Sequence, residues 1–140
     1  MTQTPEELYK EGLERYKTGE DPKNLIPLFK EITNRSPKSS NSWISLSWLY
    51  LLEQKPKLAY KAAKTGVKLN PDDPQGRINL ALAMLEKGEK GVRPHIDKAL
   101  QMIIVDSNWS AEIKNNIQDG FDKRTEWPSL SKVKSWLFDV

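Results

Sequence analysis

Cysteine is absent from the 140 residues, which excludes a disulfide framework, a thiolate metal site and a cysteine nucleophile. Histidine occurs once, at His95, so no second imidazole can complete a metal site and no Ser-His pair stands in a recognisable setting. No apolar run approaches the roughly 20 residues that a membrane-crossing helix needs. The first residues, MTQTPEELYKEGL, lack a basic flank followed by an apolar stretch, so no signal peptide is expected and the chain reads as soluble and cytoplasmic. Neither sign of charge dominates: 22 basic and 19 acidic side chains leave a net +3. Alternating strand patterns and hairpin dipeptides between apolar runs are also missing. The glycines of Glu86-Lys87-Gly88-Glu89-Lys90-Gly91 form no phosphate-loop pattern, and Asp72-Asp73 reads as helix capping rather than a metal or acid pair. No enzyme class, cofactor or metal is therefore expected.

Regular helix punctuation is what the sequence does contain. Thr4-Pro5-Glu6-Glu7 has the form of a capping box, with Pro at the first helical position. Gly19 stops that helix and Asp21-Pro22 opens the next, which should keep Pro27 in or near its first turn. Ser36-Pro37, Lys55-Pro56 and Asn70-Pro71-Asp72-Asp73-Pro74 mark further boundaries, with Asp73 as an N-cap. Ser129 is expected to open a last helix with the stripe Leu130, Val133 and Leu137. Short helices joined by short turns predict an all-α chain.

One stretch, SWISLSWLYLL at 42–52, is apolar nearly all round at helical spacing. Trp43, Leu46, Leu49 and Tyr50 fall on one side, and Ile44, Trp48, Leu51 and Leu52 on another. Too short to span a bilayer, it must have two covered faces.

The chain also aligns with itself at an offset of 34 residues. Tyr9 meets Trp43, Tyr16 meets Tyr50 and Met84, Leu13 meets Ser47 and Ala81, and Pro37 meets Pro71. The second unit reads Trp43, Leu46, Ser47, Tyr50, Ala59, Ala63, Gly66 and Pro71. This resembles the tetratricopeptide repeat (TPR) family. The resemblance is strongest over 40–73, looser over 6–39, and degenerate from 86 onward, where the 86–94 loop is about three residues too long for the period. It implies a right-handed α-α superhelix: repeats near 6–39, 40–73 and 74–110, then a degenerate helical pair at 111–140.

In such an array the first helices of successive units line a concave groove. The resemblance places Lys10, Glu11 and Glu14 of unit one there, then Ile44, Ser45 and Trp48, then Ile78, Asn79 and Leu82, and last Asn115, Asn116 and Asp119. Leu52 extends the apolar centre. The expected partner site is Ile44, Trp48, Leu52, Ile78, Asn79, Leu82, Asn115 and Asn116: apolar side chains to bury a segment of another protein, and amides to hold its backbone. The competing expectation is that the last helix fills this groove. A subclass of the family grips a C-terminal carboxylate; Lys10 and Asn79 fit that pattern, but Ser45, Trp48 and Gln75 do not.

The expected function is a non-catalytic protein-binding adaptor, scaffold or assembly helper. One alternative is a nucleic-acid-binding helical repeat, disfavoured because the groove is apolar. A second is a homodimer joined through the apolar C-terminus. Peripheral membrane contact through Trp136 and Phe138 is a weaker expectation. Lys55, Lys57, Lys61, Lys64 and Lys68 read first as a solvated helix face, and only second as a contact for a nucleic acid or an anionic membrane surface.

Overall fold

Caps set the helix boundaries. In the computed structural model, which describes residues 3–139, Thr4 Oγ1 accepts from the Glu7 amide at 3.1 Å while Glu7 Oε1 accepts from the Thr4 amide at 3.0 Å. The reciprocal pair satisfies two amides that α1 (Pro5–Lys17) would otherwise leave unpaired. Asp21 caps α2 (Pro22–Arg35) through the Lys23 amide at 3.0 Å. The helices α3 (Ser40–Leu52) and α4 (Pro56–Leu69) follow, joined by a turn in which Gln54 takes φ 56°. Asp73 Oδ1 caps α5 (Pro74–Lys87) by accepting from the Gln75 amide at 2.9 Å, and Gly88 ends it in the left-handed conformation at φ 74°. Then come α6 (Arg93–Val105), α7 (Ser107–Lys123) and α8 (Pro128–Phe138). There is no strand among the described residues.

Pro27 departs from expectation. It is the sixth residue of α2 rather than part of its first turn. Its missing N–H leaves the Lys23 carbonyl without the usual donor four residues on, a loss tolerated on this exposed side of the helix.

Consecutive helices pack side by side in a TPR-like succession, and α3 is enclosed by α2, α4 and α5. Close approach depends on small residues. A methyl group built on Gly66 of α4 would lie 2.7 Å from Ile44 Cγ1, so the Ile44 side chain occupies the space that glycine leaves. Leu46, Leu49 and Leu51 of α3 share one buried core with Ala59 and Ala63 of α4 and Leu80 and Ala81 of α5. This explains the apolar girth of 42–52: a helix enclosed on several sides buries nearly its whole circumference.

The C-terminal pair breaks the regular order. It is α8, not α7, that packs prominently against α5, and α8 also meets α6 and α7. Its Leu130, Val133 and Leu137 are buried, as is Trp127 just before it. The apolar stripe of α8 is thus satisfied within the chain.

Candidate functional site

Five helices border a hollow of about 750 Å³, α2 through Phe29 alone. Tyr9, Leu13, Tyr16 and Lys17 line it from α1, and Ile44, Ser45, Trp48 and Leu49 from α3. Asp73 and Gln75 border it at the start of α5, with Asn79 one turn on. The far wall is α7, with Trp109, Glu112, Asn115, Asn116, Asp119 and Lys123.

Two chains of polar contacts hold α7 in place. In the first, Asn116 Nδ2 donates to Gln75 Oε1 at 3.0 Å, and Gln75 Nε2 donates to Asn79 Oδ1 at 2.7 Å. Asn79 Nδ2 in turn donates to the Ile44 carbonyl at 3.1 Å and to Ser47 Oγ at 3.0 Å. Asn79 is fully buried, and both its amide atoms are engaged. In the second, Trp48 Nε1 donates to Tyr16 Oη at 2.9 Å, and Tyr16 Oη donates to Asp119 Oδ2. Lys123 Nζ pairs with Asp119 Oδ1 at 2.6 Å and sits 4.3 Å from the Tyr16 ring centre. Burial, and then the Asp119 carboxylate, push the Tyr16 phenol well above its ordinary range. It stays protonated and donates.

The expected partner residues separate into two groups. Ile44, Trp48, Asn79, Asn115 and Asn116 border the hollow. Leu52, Ile78 and Leu82 do not: they are 7%, 0% and 0% exposed and belong to the core. The reason is topological. An open array would leave one face of α5 free, whereas here α3, α4, α6 and α8 surround that helix. Within the hollow, Asn79 is committed to its own chain rather than offered to a ligand. Trp48 is half-buried, its ring 5.4 Å from that of Trp127 and in close contact with Gly120. The C-terminal pair therefore takes up part of the surface expected to be left to a partner.

Of the side chains that remain exposed at the rim, Asn115 was expected from the sequence, whereas Leu13, Asn41 and Glu112 were not singled out. Leu13 is 37% exposed, and Asn41, Glu112 and Asn115 are exposed beside it. Leu13 carried a signal: it is bulky at the place where the other units have Ser47 and Ala81. Trp109 and Glu112 carried none, because α7 lies outside the clear repeat.

Elsewhere, Arg77 Nη1 donates to His95 Nδ1 at 3.2 Å. Burial and the Arg77 charge lower the His95 pKa, so the ring is held neutral as an acceptor. Among the described residues no group of three His, Asp or Glu side chains could hold a metal ion. No helix among them is long and apolar enough to cross a membrane.

No family model matches this chain, and no curated protein sequence matches it. Solved structures do. The crystal structure of the Yersinia enterocolitica type III secretion translocator chaperone SycD, in an alternative dimer, superposes with a TM-score of 0.70 at 17% identity, covering 96% of this chain and 94% of that one. At that identity the likeness is one of fold: an all-helical, TPR-like succession over nearly the whole length.

Proposed function

We propose that this chain is a non-catalytic protein-binding module of the TPR type, an adaptor or chaperone that captures a segment of another protein. The observation that carries this reading is the hollow of about 750 Å³ between α1, α2, α3, α5 and α7, of a size that takes several side chains. Its rim mixes apolar and amide groups: Tyr9, Leu13, Trp48 and Trp109 beside Asn41, Asn115 and Asn116. The partner site in this reading is narrower than the sequence suggests, because Leu52, Ile78 and Leu82 are spent on the core. The SycD likeness is in keeping with it, since that protein is a chaperone.

Trp48→Ala is a poor test, because Trp48 packs on Trp127. Leu13→Asp and Asn115→Arg change exposed rim positions instead. Affinity capture should recover a protein with the wild type and lose it with both variants, their helical circular dichroism unchanged. Recovery indifferent to both substitutions sinks the hollow as the binding site.

Self-association is the second reading, favoured by Ile104 and Val105 at the end of α6, which are 73% and 84% exposed. Light scattering of wild type beside Ile104→Ser/Val105→Ser decides it: a dimer reduced to a monomer supports this reading, and a wild-type monomer removes it.

A further inference from the structure

The outer face of α4 is unlike the rest of the surface. Helical spacing of 100° per residue puts Lys57, Lys61, Lys64 and Lys68 within about 60° of arc, in a row about 16 Å long. All four are exposed, and Lys55 precedes them in the turn. The opposite face, Ala59, Ala62, Ala63 and Gly66, is buried, so the lysines point directly away from the molecule. The helix contains no acidic residue. Among the described residues no carboxylate lies within ion-pairing distance of any of these five ammonium groups. They supply the whole basic excess: without them, 17 basic side chains would face 19 acidic ones.

Two leucines flank the row. Leu58 and Leu69 are 43% and 39% exposed. They lie 11 positions apart on one shoulder of the same helix. The only aromatic ring of α4, Tyr60, carries Lys87 Nζ at 3.9 Å and Lys64 Nζ at 5.8 Å from its centre.

We infer that the α4 face is a docking surface for an anionic phospholipid bilayer. Lysines are point charges suited to a layer of phosphate headgroups, and their aliphatic stems can lie along it. Leucines beside a lysine row add apolar contact at the headgroup boundary, which a nucleic-acid backbone cannot reward. Single-stranded nucleic acid is gripped by aromatic rings on which bases stack, and the one ring of α4, Tyr60, is half-buried with Lys87 Nζ close to its centre. The face is a convex helix back rather than a cleft, which fits a broad flat partner better than a peptide. This surface lies apart from the hollow, and the inference does not depend on what the hollow binds.

Vesicle sedimentation tests it. The full chain should partition onto vesicles containing phosphatidylglycerol but not onto pure phosphatidylcholine, and added salt should release it. The variant Lys57→Gln/Lys61→Gln/Lys64→Gln/Lys68→Gln should lose about 100-fold or more in partitioning, given the gain each lysine makes near an anionic surface. A charge-matched variant at other exposed lysines, Lys23→Gln/Lys30→Gln/Lys90→Gln/Lys98→Gln, should lose far less. Leu58→Asn with Leu69→Asn should weaken what binding survives at high salt. The inference is overturned if wild type ignores the anionic vesicles, if both quadruple variants lose equally, or if a short DNA duplex binds as tightly as the vesicles do.

Discussion

At Gly12 there is no room for a methyl group. A Cβ built there would lie 2.6 Å from Phe29 Cε2 and 2.7 Å from Phe29 Cζ, and the Phe29 ring is only 2% exposed. A buried ring cannot swing aside as a surface side chain would. Gly12→Ala is expected to destabilise by about 1–3 kcal/mol, read as a lower urea midpoint at unchanged slope. Asp73 makes a different case. Its carboxylate caps α5, yet burial raises its pKa above the ordinary carboxylate value, partly offset by the amides of Gln75 and Gly76. A carboxyl group whose pKa rises on folding stabilises the protein below its unfolded pKa and loses that contribution as pH rises. Asp73→Asn keeps the cap and removes the buried charge. It should match or exceed wild-type stability at pH 7, with the gap closing below about pH 3. Asp73→Ala should cost about 1 kcal/mol at either pH, because it removes the cap. Thermal melts of the three proteins at two pH values check this, and an Asn variant weaker than Ala at pH 7 would refute it.

At the scale of helices, the amide chain from Asn116 through Gln75 to Asn79 ties α7, α5 and α3 together. Asn79→Ala would leave the Gln75 amide without its acceptor and the Ile44 carbonyl without that donor. A loss of about 1–3 kcal/mol is expected from unpaired buried groups. Asn115→Ala, one residue from Asn116 but exposed, should cost under about 0.5 kcal/mol. Equal losses would remove the chain's significance. This example also marks what the sequence reveals. Helices α1 to α6 are legible because caps, prolines and apolar periods are local features of each segment. That Asn79 borders the hollow was legible too, from its place in the repeat. That it would be consumed there was not: its partners stand 35 and 32 positions back in the chain, and no periodicity encodes such a pairing. Ile78 and Leu82 failed for a related reason. They sit where a regular array exposes them, but the irregular placement of α8 beside α5 is written in the degenerate part of the chain.

For the whole molecule, the decisive question is how the C-terminal pair is fastened, because stacked repeats gain stability from intrinsic terms and from interfaces between neighbours. One fastening is buried and ionic. Arg124, at the end of α7, donates from Nη1 to Glu86 Oε1 at 3.1 Å and to the Leu51 carbonyl at 2.9 Å, while Trp127 Nε1 donates to Glu86 Oε2 at 2.6 Å. The two charged side chains are 13% and 11% exposed. Breaking such a pair from one side leaves an uncompensated charge, whereas replacing both partners with apolar groups costs much less. Glu86→Ala should therefore destabilise by about 3 kcal/mol, and the double variant Glu86→Leu/Arg124→Leu should recover only part of that, because the buried Trp127 N–H still lacks its acceptor. The loss should also be uneven along the chain. Amide hydrogen exchange in Glu86→Ala should speed up first in α7 and α8, while α3 and α4 keep most of their protection, because they pack chiefly on each other, on α2 and on α5, and only the last turn of α5 carries the substitution. The hollow should open with them, since α7 is its far wall. Uniform loss of protection over α1 to α8 would mean instead that the C-terminal pair folds as one unit with the rest, and that the hollow has no independently movable side.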